Sequence, residues 1–564
     1  MIRLTKKVFR LTGIATLFAG LSFGQVFAPA TCAASAAATI IRAEGTTEQV
    51  SPLTITCTAP AGSASPAGTV SLQVFLTPSL PVTSKVLSST SGASEAVVTV
   101  YDTTGAALVA QTAGTYSSGT QLSATVSGST LNFTGIVVPA LAAAGNTYTI
   151  TVDNVRVDAT FLSVGSTVSE RALLSDSHGS VVPAALAPTA VAFVQNGLGP
   201  VSLFKSFTTA VAGDFPKVVG ATAGANSYVI CSVGDPQTDA VDYSRALPGS
   251  GPGKSLAFVV RVGENFSAAF HVAAQEASHV STTLASNSVT GGTRVVLNFT
   301  NVPTGVMLLV PVDSIATSTS GAVLRVNSLT ANTDDAVTTG TGLTGGRGLA
   351  AVPISGGAGT AEFEIVTEDA HGMDRFDIPV FVIYSANSVE GSSAPISVSA
   401  NFGSVSADAI PNFVVGSSTN TVGGGTFSVC STSLLFPFVT NQAGFDTTLL
   451  ISNTSSDPFG SNGATAQAGT CSLNFYGTGA PSPANVTTSD VASGTSYVQL
   501  LSNVAAGFQG YMIAQCNFQY AQGGAFLTNG LGLGGRLSAG YFAGVIPDTN
   551  QVARSTATGE TLGN

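Results

Sequence analysis

The sequence predicts an all-β protein built from tandem Ig-like β-sandwich domains, and three observations support this fold class. Charged residues make up only 9% of the 564 residues, against roughly 25% in an ordinary soluble domain. Helix surfaces usually rely on Glu, Lys and Arg, so this composition disfavours exposed helices. Apolar and polar residues alternate in many short runs, and clusters of Gly, Ser, Thr and Asn separate the runs. Both patterns are typical of half-buried strands joined by turns.

The N-terminal segment has the composition of a secretory signal peptide. Four cations within the first ten residues precede an apolar run over residues 11–21, which is too short to span a bilayer comfortably. Small residues follow, and the pattern predicts a signal peptide over residues 1–28, with cleavage after Ala28 or as late as Ala34. We therefore expect a secreted or cell-surface protein with no transmembrane segment in the mature chain.

The rest of the chain divides into three predicted domains and a tail. The tetrapeptide Leu-Asn-Phe-Thr occurs at residues 131–134 and again at 297–300, with matching segments upstream and downstream in the same order. This repeat predicts that the first two domains are related sandwiches. The third is predicted to be a distinct β-domain that carries a disulfide, and the polar tail is predicted to be flexible. The predicted boundaries are 36–200, 201–422 and 423–547 for the domains and 548–564 for the tail.

Six cysteines fit an oxidising compartment, and none forms a Cys-x-x-Cys pair, which argues against zinc. In the third domain, the two-residue period of a strand places Cys471 on the same face as Leu473. It places Cys516 on the same face as Met512, so both cysteines are predicted to point into one core. We therefore predict a Cys471–Cys516 disulfide, with Cys430 as the competitor for either partner. This bridge would close a loop of about 45 residues and contribute about 3–4 kcal/mol.

Chemistry-bearing patterns are scarce. The densest acidic cluster contains Glu368, Asp369, Asp374 and Asp377, whose oxygens suit Ca²⁺. Its spacing matches neither an EF-hand nor a calcium-binding repeat, so a solvated turn-forming loop is the alternative. No Gly-x-Ser-x-Gly elbow accompanies the four histidines. We predict no catalytic residues and no cofactor, and an extracellular serine hydrolase is the alternative in the enzyme class.

Charge and strand content point to contacts with other proteins. The formal net charge is −11, and an acidic surface repels phosphate backbones, so nucleic acid is not an expected partner. Low charge density limits repulsion between copies, and exposed strand edges can accept a strand from a neighbour. We expect a structural or assembly protein that acts through sheet edges and loops, with copies of itself or other surface proteins as partners. The alternative is an adhesin or extracellular ligand-binding module.

Four segments of the third domain and one of the first carry a resemblance. The third-domain segments are LFPFVTNQAGFD at 435–446, CSLNFYG at 471–477, GFQGY at 507–511 and AQCNFQY at 514–520, and the other is RAEGTTE at 42–48. They resemble segments that recur in uncharacterised secreted β-rich surface proteins of soil acidobacteria. The resemblance implies a secreted cell-surface protein, and it implies no activity, because a shared fold does not define a function.

Overall fold

The structure, a computed structural model, consists almost entirely of β-strands. It describes residues 27–102, 104, 106, 111, 117–211, 216–229, 256–277, 291–311, 315–316, 323–326, 349–369, 371–384, 394–404, 406, 409–414, 420–428, 430–459, 464, 466–529 and 537–547. The chain forms two compact units. Unit 1 comprises Met1–Leu198, Glu264–Thr293 and Phe402–Ser417, and unit 2 comprises Gly199–Gly263, Arg294–Asn401 and Ser418–Asn564.

Unit 1 is built mainly from strands, and in several of them buried side chains alternate with half-buried or exposed ones. Its strands are β1 (Thr31–Ser35), β2 (Thr39–Arg42), β3 (Glu48–Gln49), β4 (Leu53–Thr58), β5 (Gly68–Thr77), β6 (Val86–Ser88), β7 (Ala93–Tyr101), β8 (Ser117–Ser118), β9 (Gln121–Ser127), β10 (Thr130–Val138), β11 (Thr147–Asp153), β12 (Arg156–Val157), β13 (Thr167–Asp176), β14 (Ala184–Ala185) and β15 (Thr189–Gln195). A 3-10 turn lies at Ala159–Phe161, and helix α1 covers Ala273–Glu276. Strand β4 shows the alternation most simply, since Leu53, Ile55 and Cys57 are buried and the residues between them are half-buried.

All described strands of unit 1 except β3 and β12 belong to one long sheet around one core, and β3 and β12 pair with each other separately. Its hydrogen-bonded path runs β1-β4-β11-β7-β9-β10-β5-β13-β15-β2, with β15 and β2 parallel and the other neighbours on this path antiparallel. Ile55, Leu72, Phe133 and Ala172 come from different parts of this path and belong to one buried cluster. The sheet therefore folds over on itself, because its inward side chains could not otherwise meet.

Unit 2 contains the remaining strands and helix α2 (Leu501–Val504). Its strands are β16 (Ser202–Val211), β17 (Pro216–Ala223), β18 (Tyr228–Val229), β19 (Leu256–Gly263), β20 (Arg294–Thr300), β21 (Met307–Pro311), β22 (Ile315–Ala316), β23 (Val323–Val326), β24 (Leu349–Ala351), β25 (Ile354–Ser355), β26 (Ala358–Thr367), β27 (Arg375–Ile383), β28 (Ser397–Gly403), β29 (Val422–Gly423), β30 (Phe427–Ser428), β31 (Thr432–Thr440), β32 (Asp446–Asn453), β33 (Cys471–Thr478), β34 (Asn485–Thr487), β35 (Ser496–Leu500), β36 (Gln509–Cys516), β37 (Ala521–Thr528), β38 (Ser538–Phe542) and β39 (Gly544–Ile546).

The strands of unit 2 pair into several sheets. Two of them follow the orders β17-β16-β19-β27-β21-β24 and β23-β26-β20-β28-β29. Two more, β34-β33-β36-β31-β39 and β35-β32-β37-β38, contribute inward residues such as Leu434, Leu449 and Met512 to one core. We call this pair of sheets the C-terminal sandwich. The predicted all-β class is confirmed.

The two copies of the repeated tetrapeptide lie on strands with the same pattern of burial. In β10 the inward residues are Leu131 and Phe133, and in β20 they are Leu297 and Phe299. The matching segments near 230–231 and 312–314 lie outside the described residues. The relationship between the first two predicted domains therefore stays a prediction.

Strand β1 bears on where the predicted signal peptide ends. Ala30 is fully buried, and all five residues of β1 pair with β4. Cys32 lies directly opposite Cys57 and is joined to it by a disulfide. Cleavage after Ala34 would remove both this strand and its disulfide, whereas cleavage after Ala28 would keep them.

We expect the mature chain to begin at Pro29. The physical reason is that β1 covers an edge of the unit 1 sheet and is covalently attached to it. N-terminal sequencing or the intact mass of the exported protein measures the cleavage site. A mature chain that starts at Ser35 would contradict this expectation, because Cys57 would then lack Cys32 as a partner.

Candidate functional site

The structure gives the residues of the calcium candidate other partners. Both carboxylate oxygens of Asp377 accept hydrogen bonds from Arg261 at 2.7 Å. Asp374 is fully buried and accepts the backbone N–H of Asp369 at 2.9 Å, which closes the loop between β26 and β27. Among the described residues, no group of three or more acidic, histidine or cysteine side chains could hold a metal ion. Asp369, Asp374 and Asp377 are therefore held by hydrogen bonds within the protein in this structure.

The cysteines of the C-terminal sandwich lie on paired strands. Cys471 of β33 is directly opposite Cys516 of β36, and the two form a disulfide inside the core. Cys430 is also disulfide-bonded and fully buried, so it does not compete for either of these cysteines. The bridge therefore joins two neighbouring strands of one sheet.

Removing this bridge is expected to destabilise the C-terminal sandwich. The double substitution Cys471→Ser and Cys516→Ser should lower the free energy of unfolding by about 2–4 kcal/mol, because the unfolded chain gains the freedom of an open loop. Denaturant titration followed by circular dichroism measures the change. Ser433→Ala, a half-buried position in the same sheet, is the control and should change it by less than about 0.5 kcal/mol. An unchanged midpoint in the double variant would contradict the prediction.

A buried ionic cluster occupies the interior of unit 1. The Arg42 guanidinium donates to Glu48 and to Glu276 at 2.8 Å, and both carboxylates are nearly fully buried. Arg156 is fully buried and pairs with Glu95 at 3.0 Å. Burial opposes ionisation of Glu276, but the charge of Arg42, the contact with His271 and the charge of Arg156 together hold its pKa below the usual value. This cluster fixes the segment that contains α1 against β2 and β12.

His271 lies at the edge of the same cluster. Its Nδ1 is 3.1 Å from a carboxylate oxygen of Glu276, and the side chain is 29% exposed. Among the described residues, no hydroxyl group forms a hydrogen bond with this imidazole. His271 therefore extends the ionic cluster towards the surface through Glu276. The contact differs from a serine-hydrolase triad, in which a hydroxyl group contacts the imidazole ring.

Another buried acid, Glu170 of β13, has no ionic partner among the described residues. It is fully buried on the side of the strand that faces the core, in line with Val168 and Ala172. Neither carboxylate oxygen forms a hydrogen bond with any described residue. Burial raises the pKa of Glu170 to about 8. The sequence contains a signal for this orientation. Glu170 lies an even number of residues from Val168, Ala172 and Leu174, so the two-residue period of a strand places all four side chains on the same inward face.

Unit 1 also has a surface cleft of about 570 Å³. Hydroxyl and amide side chains dominate its lining, and Lys85 supplies a positive charge. The polar lining residues besides Lys85 are Thr46, Thr47, Thr83, Ser84 and Asn412. The cleft can offer hydrogen bonds to a polar ligand, and its lining contains no aromatic side chain on which a sugar ring could stack.

The most unusual surface of the chain is one face of the C-terminal sandwich. Four apolar side chains project outward from the sheet β35-β32-β37-β38: Phe542 is 93% exposed, Val498 59%, Phe526 50% and Leu450 40%. We call these four residues the apolar face. Exposed apolar residues scattered singly are normal on soluble proteins, but a contiguous group marks an interaction surface.

The strand register shows that the apolar face is contiguous. Val498, Leu450, Gly524 and Phe542 lie opposite one another across all four strands. In the adjacent row, Phe526 lies opposite Thr448 on one side and Gly540 on the other. A Cβ atom added at Gly540 would lie 3.1 Å from the Phe526 ring, so this ring packs next to the backbone of a residue that has no side chain.

Sequence reasoning did not find the apolar face, although the sequence contains a signal for it. Apolar doublets occur on all four strands, and neighbouring residues of a strand point to opposite faces. One member of each doublet therefore lies in the core and the other lies outside. The doublets are Leu449–Leu450, Tyr497–Val498, Phe526–Leu527 and Tyr541–Phe542.

The edges of this sheet carry no charge. The outer strands are β35, with the sequence SYVQL, and β38, with the sequence SAGYF. Neither strand contains a charged residue or a proline, the features that natural proteins use to prevent pairing at an edge. Each pairs on one side only among the described residues. The edges therefore leave backbone N–H and C=O groups that can accept a further strand.

Charge is scarce throughout this part of the chain. Residues 423–547 include only four charged residues, Asp446, Asp457, Asp490 and Arg536. On the outer face of the other sheet of the C-terminal sandwich, β34-β33-β36-β31-β39, the exposed rings of Tyr476 and Tyr511 stack at a centroid distance of 4.9 Å. A surface with so few charges has little electrostatic protection against association.

Comparison with known proteins gives a short result. No family model matches the chain, and no curated protein is similar enough to match. The BcpA major pilin subunit of Bacillus cereus is 9% identical over 81% of this chain and 92% of its own, with a TM-score of 0.22. The RrgB pilus protein of Streptococcus pneumoniae is 9% identical over 92% of this chain and 68% of its own, with a TM-score of 0.17. The CupB6 tip adhesin of Pseudomonas aeruginosa is 9% identical over 71% of this chain and 100% of its own, with a TM-score of 0.14. These TM-scores are too low to indicate a shared topology, so no function is drawn from them.

Neither α-helix in the described part of the chain has the length and apolar character needed to cross a lipid bilayer.

Proposed function

We propose that this chain is a secreted or cell-surface structural protein that assembles through the strand edges and loops of its sandwiches, and that it is not an enzyme. The observation that carries the proposal is the C-terminal sandwich, whose edge strands β35 and β38 lack charge and proline. An exported protein with unguarded edges either aggregates or uses them for ordered contacts. The Cys32–Cys57 and Cys471–Cys516 disulfides suit an oxidising environment.

Electron microscopy of native cells with the protein labelled tests this proposal. We expect the label in a layer or filament on the cell surface. Ser538→Lys adds a charge to the edge strand β38 and should reduce the ordered assembly. Ser177→Lys adds the same charge to an exposed turn of unit 1 and is the matched control, which should leave the assembly unchanged. Label confined to the cytoplasm, or only to dispersed soluble protein, would overturn the proposal.

The hydroxyl-lined cleft of unit 1 favours a second candidate function, that of an adhesin or ligand-binding module. Polar lining residues such as Thr47 and Asn412 can bind a hydroxylated or anionic ligand through hydrogen bonds. A glycan array with the mature chain tests this candidate. Saturable binding that Lys85→Met weakens would support it, and an array without any specific signal would count against it. Labelling with serine-hydrolase probes is expected to be negative for either function.

A further inference from the structure

The apolar face has the chemistry of a surface that packs against an identical surface. Asp446 is the only charged residue on the four strands of its sheet, and its carboxylate accepts hydrogen bonds from the backbone and the hydroxyl of Ser502. A partner with a charged surface would find no ion-pairing group on this face besides Asp446, whose carboxylate Ser502 already engages, and burying its charges there would be unfavourable. A second copy of the same face brings only that same hydrogen-bonded carboxylate.

The shape of the face also suits two copies related by a two-fold axis. Such an interface needs a surface that carries both the projection and the place that receives it. Phe542 projects almost completely into solvent, and Gly540, two residues earlier on the same strand, is exposed and adds no side chain. The face therefore carries a projecting ring and a low position close together, a combination that lets facing sheets approach at the usual spacing of about 10 Å.

We propose that two copies of this chain associate by packing their apolar faces against each other, sheet on sheet. The proposal rests on the proposed function and names one contact within that assembly. Strand edges would extend each sheet sideways, and the apolar face would join one sheet to another. The two kinds of contact use different atoms, so each can be removed separately.

The size of the face sets the strength of this contact. Four strands spaced about 4.8 Å apart, with about five residues each at about 3.4 Å, give on the order of 300 Å² per copy. A stable dimer usually buries about 800 Å² per partner. The association is therefore weak and depends on concentration, and it becomes effective when many copies are held close together.

Sedimentation equilibrium of the mature chain over a concentration series tests the proposal. The weight-average mass should rise with concentration towards that of a dimer. Phe542→Ser should raise the dissociation constant at least about tenfold, because the most exposed aromatic of a small interface contributes much of the affinity. Phe526→Ser should also raise the dissociation constant. The control is Phe459→Ser, which removes a phenylalanine that is 58% exposed outside this sheet and should change nothing.

Three outcomes would overturn the proposal. One is a chain that stays monomeric at every concentration, and another is an association that Phe542→Ser leaves unchanged. The third is a monomer that begins to associate when residues 548–564 are deleted, which would show that the tail covers the face. Thermal unfolding of each variant checks its fold, and Phe542 is exposed enough that its loss should not change stability. An ordered layer on labelled cells in any of these cases would leave the proposed function standing.

Discussion

Arg42→Met is expected to lower the free energy of unfolding by about 3–5 kcal/mol, because it removes one partner from a buried ionic cluster and leaves the others unpaired. Arg42 is 2% exposed, and its guanidinium contacts the carboxylates of Glu48 and Glu276. It also donates to the hydroxyl of Thr293 at 2.8 Å and to the carbonyl of Ala269 at 3.2 Å. Methionine fills a similar volume but can replace none of these hydrogen bonds.

The loss should concentrate in one part of unit 1. Arg42 connects β2 to Ala269, Glu276 and Thr293, so the amide hydrogens of residues 264–277 should exchange faster in the variant. Denaturant titration followed by circular dichroism measures the stability, since the chain has no Trp to report by fluorescence. Arg171→Met removes the same charge from an exposed position of β13 and should cost less than about 0.5 kcal/mol. Equal effects of the two substitutions would contradict the assigned role of Arg42.

The stability of unit 1 is expected to fall as the pH rises from about 4.5 towards about 8, because of Glu170. The folded chain keeps the Glu170 carboxyl protonated up to its raised pKa, whereas the unfolded chain releases the proton near the ordinary value. The folded state therefore binds more protons than the unfolded state across this pH window. The protonated Glu170 carboxyl contributes its full stabilisation below about pH 4.5, and this stabilisation is lost above about pH 8. The difference in pKa corresponds to a loss on the order of 4 kcal/mol.

Glu170→Gln tests this expectation directly. The neutral amide has nearly the same size and does not titrate, so it should remove this part of the pH dependence. At pH values below the window the variant should differ little from the natural chain, and above it the variant should be more stable. Unfolding free energies of the two proteins across the window, compared by subtraction, isolate Glu170 from all other titrating groups. A difference that stays constant with pH would show that Glu170 does not carry a proton in the folded state.

The separate cores of unit 1 and of the C-terminal sandwich explain why these substitutions act locally. Glu170 lies among the aliphatic side chains of unit 1, and Cys471 and Cys516 lie in the core of the C-terminal sandwich. Neither core shares a buried residue with the other. A destabilised unit 1 should therefore leave the apolar face and its strand edges intact, which makes Arg42→Met a useful control for assembly experiments.

The sequence by itself determined the properties that depend on neighbouring residues. The two-residue period of a strand is local, so alternation was enough to predict the all-β class, and the same parity placed Cys471 and Cys516 on inward faces. The apolar doublets, such as Phe526–Leu527, were present in the same local pattern. They indicate two apolar faces, but local pattern does not say whether a second sheet covers the outer one.

Only the tertiary structure decided which distant residues meet. Arg42 finds partners more than 220 positions along the chain, at Ala269 and Glu276. The acidic residues near 368–377 are close in sequence and predict one cluster, yet Asp377 pairs with Arg261 on the neighbouring strand. The same is true of the apolar face, whose residues come from four strands. Strand order and register are set by the packing of whole sheets, and no local run of sequence contains that information.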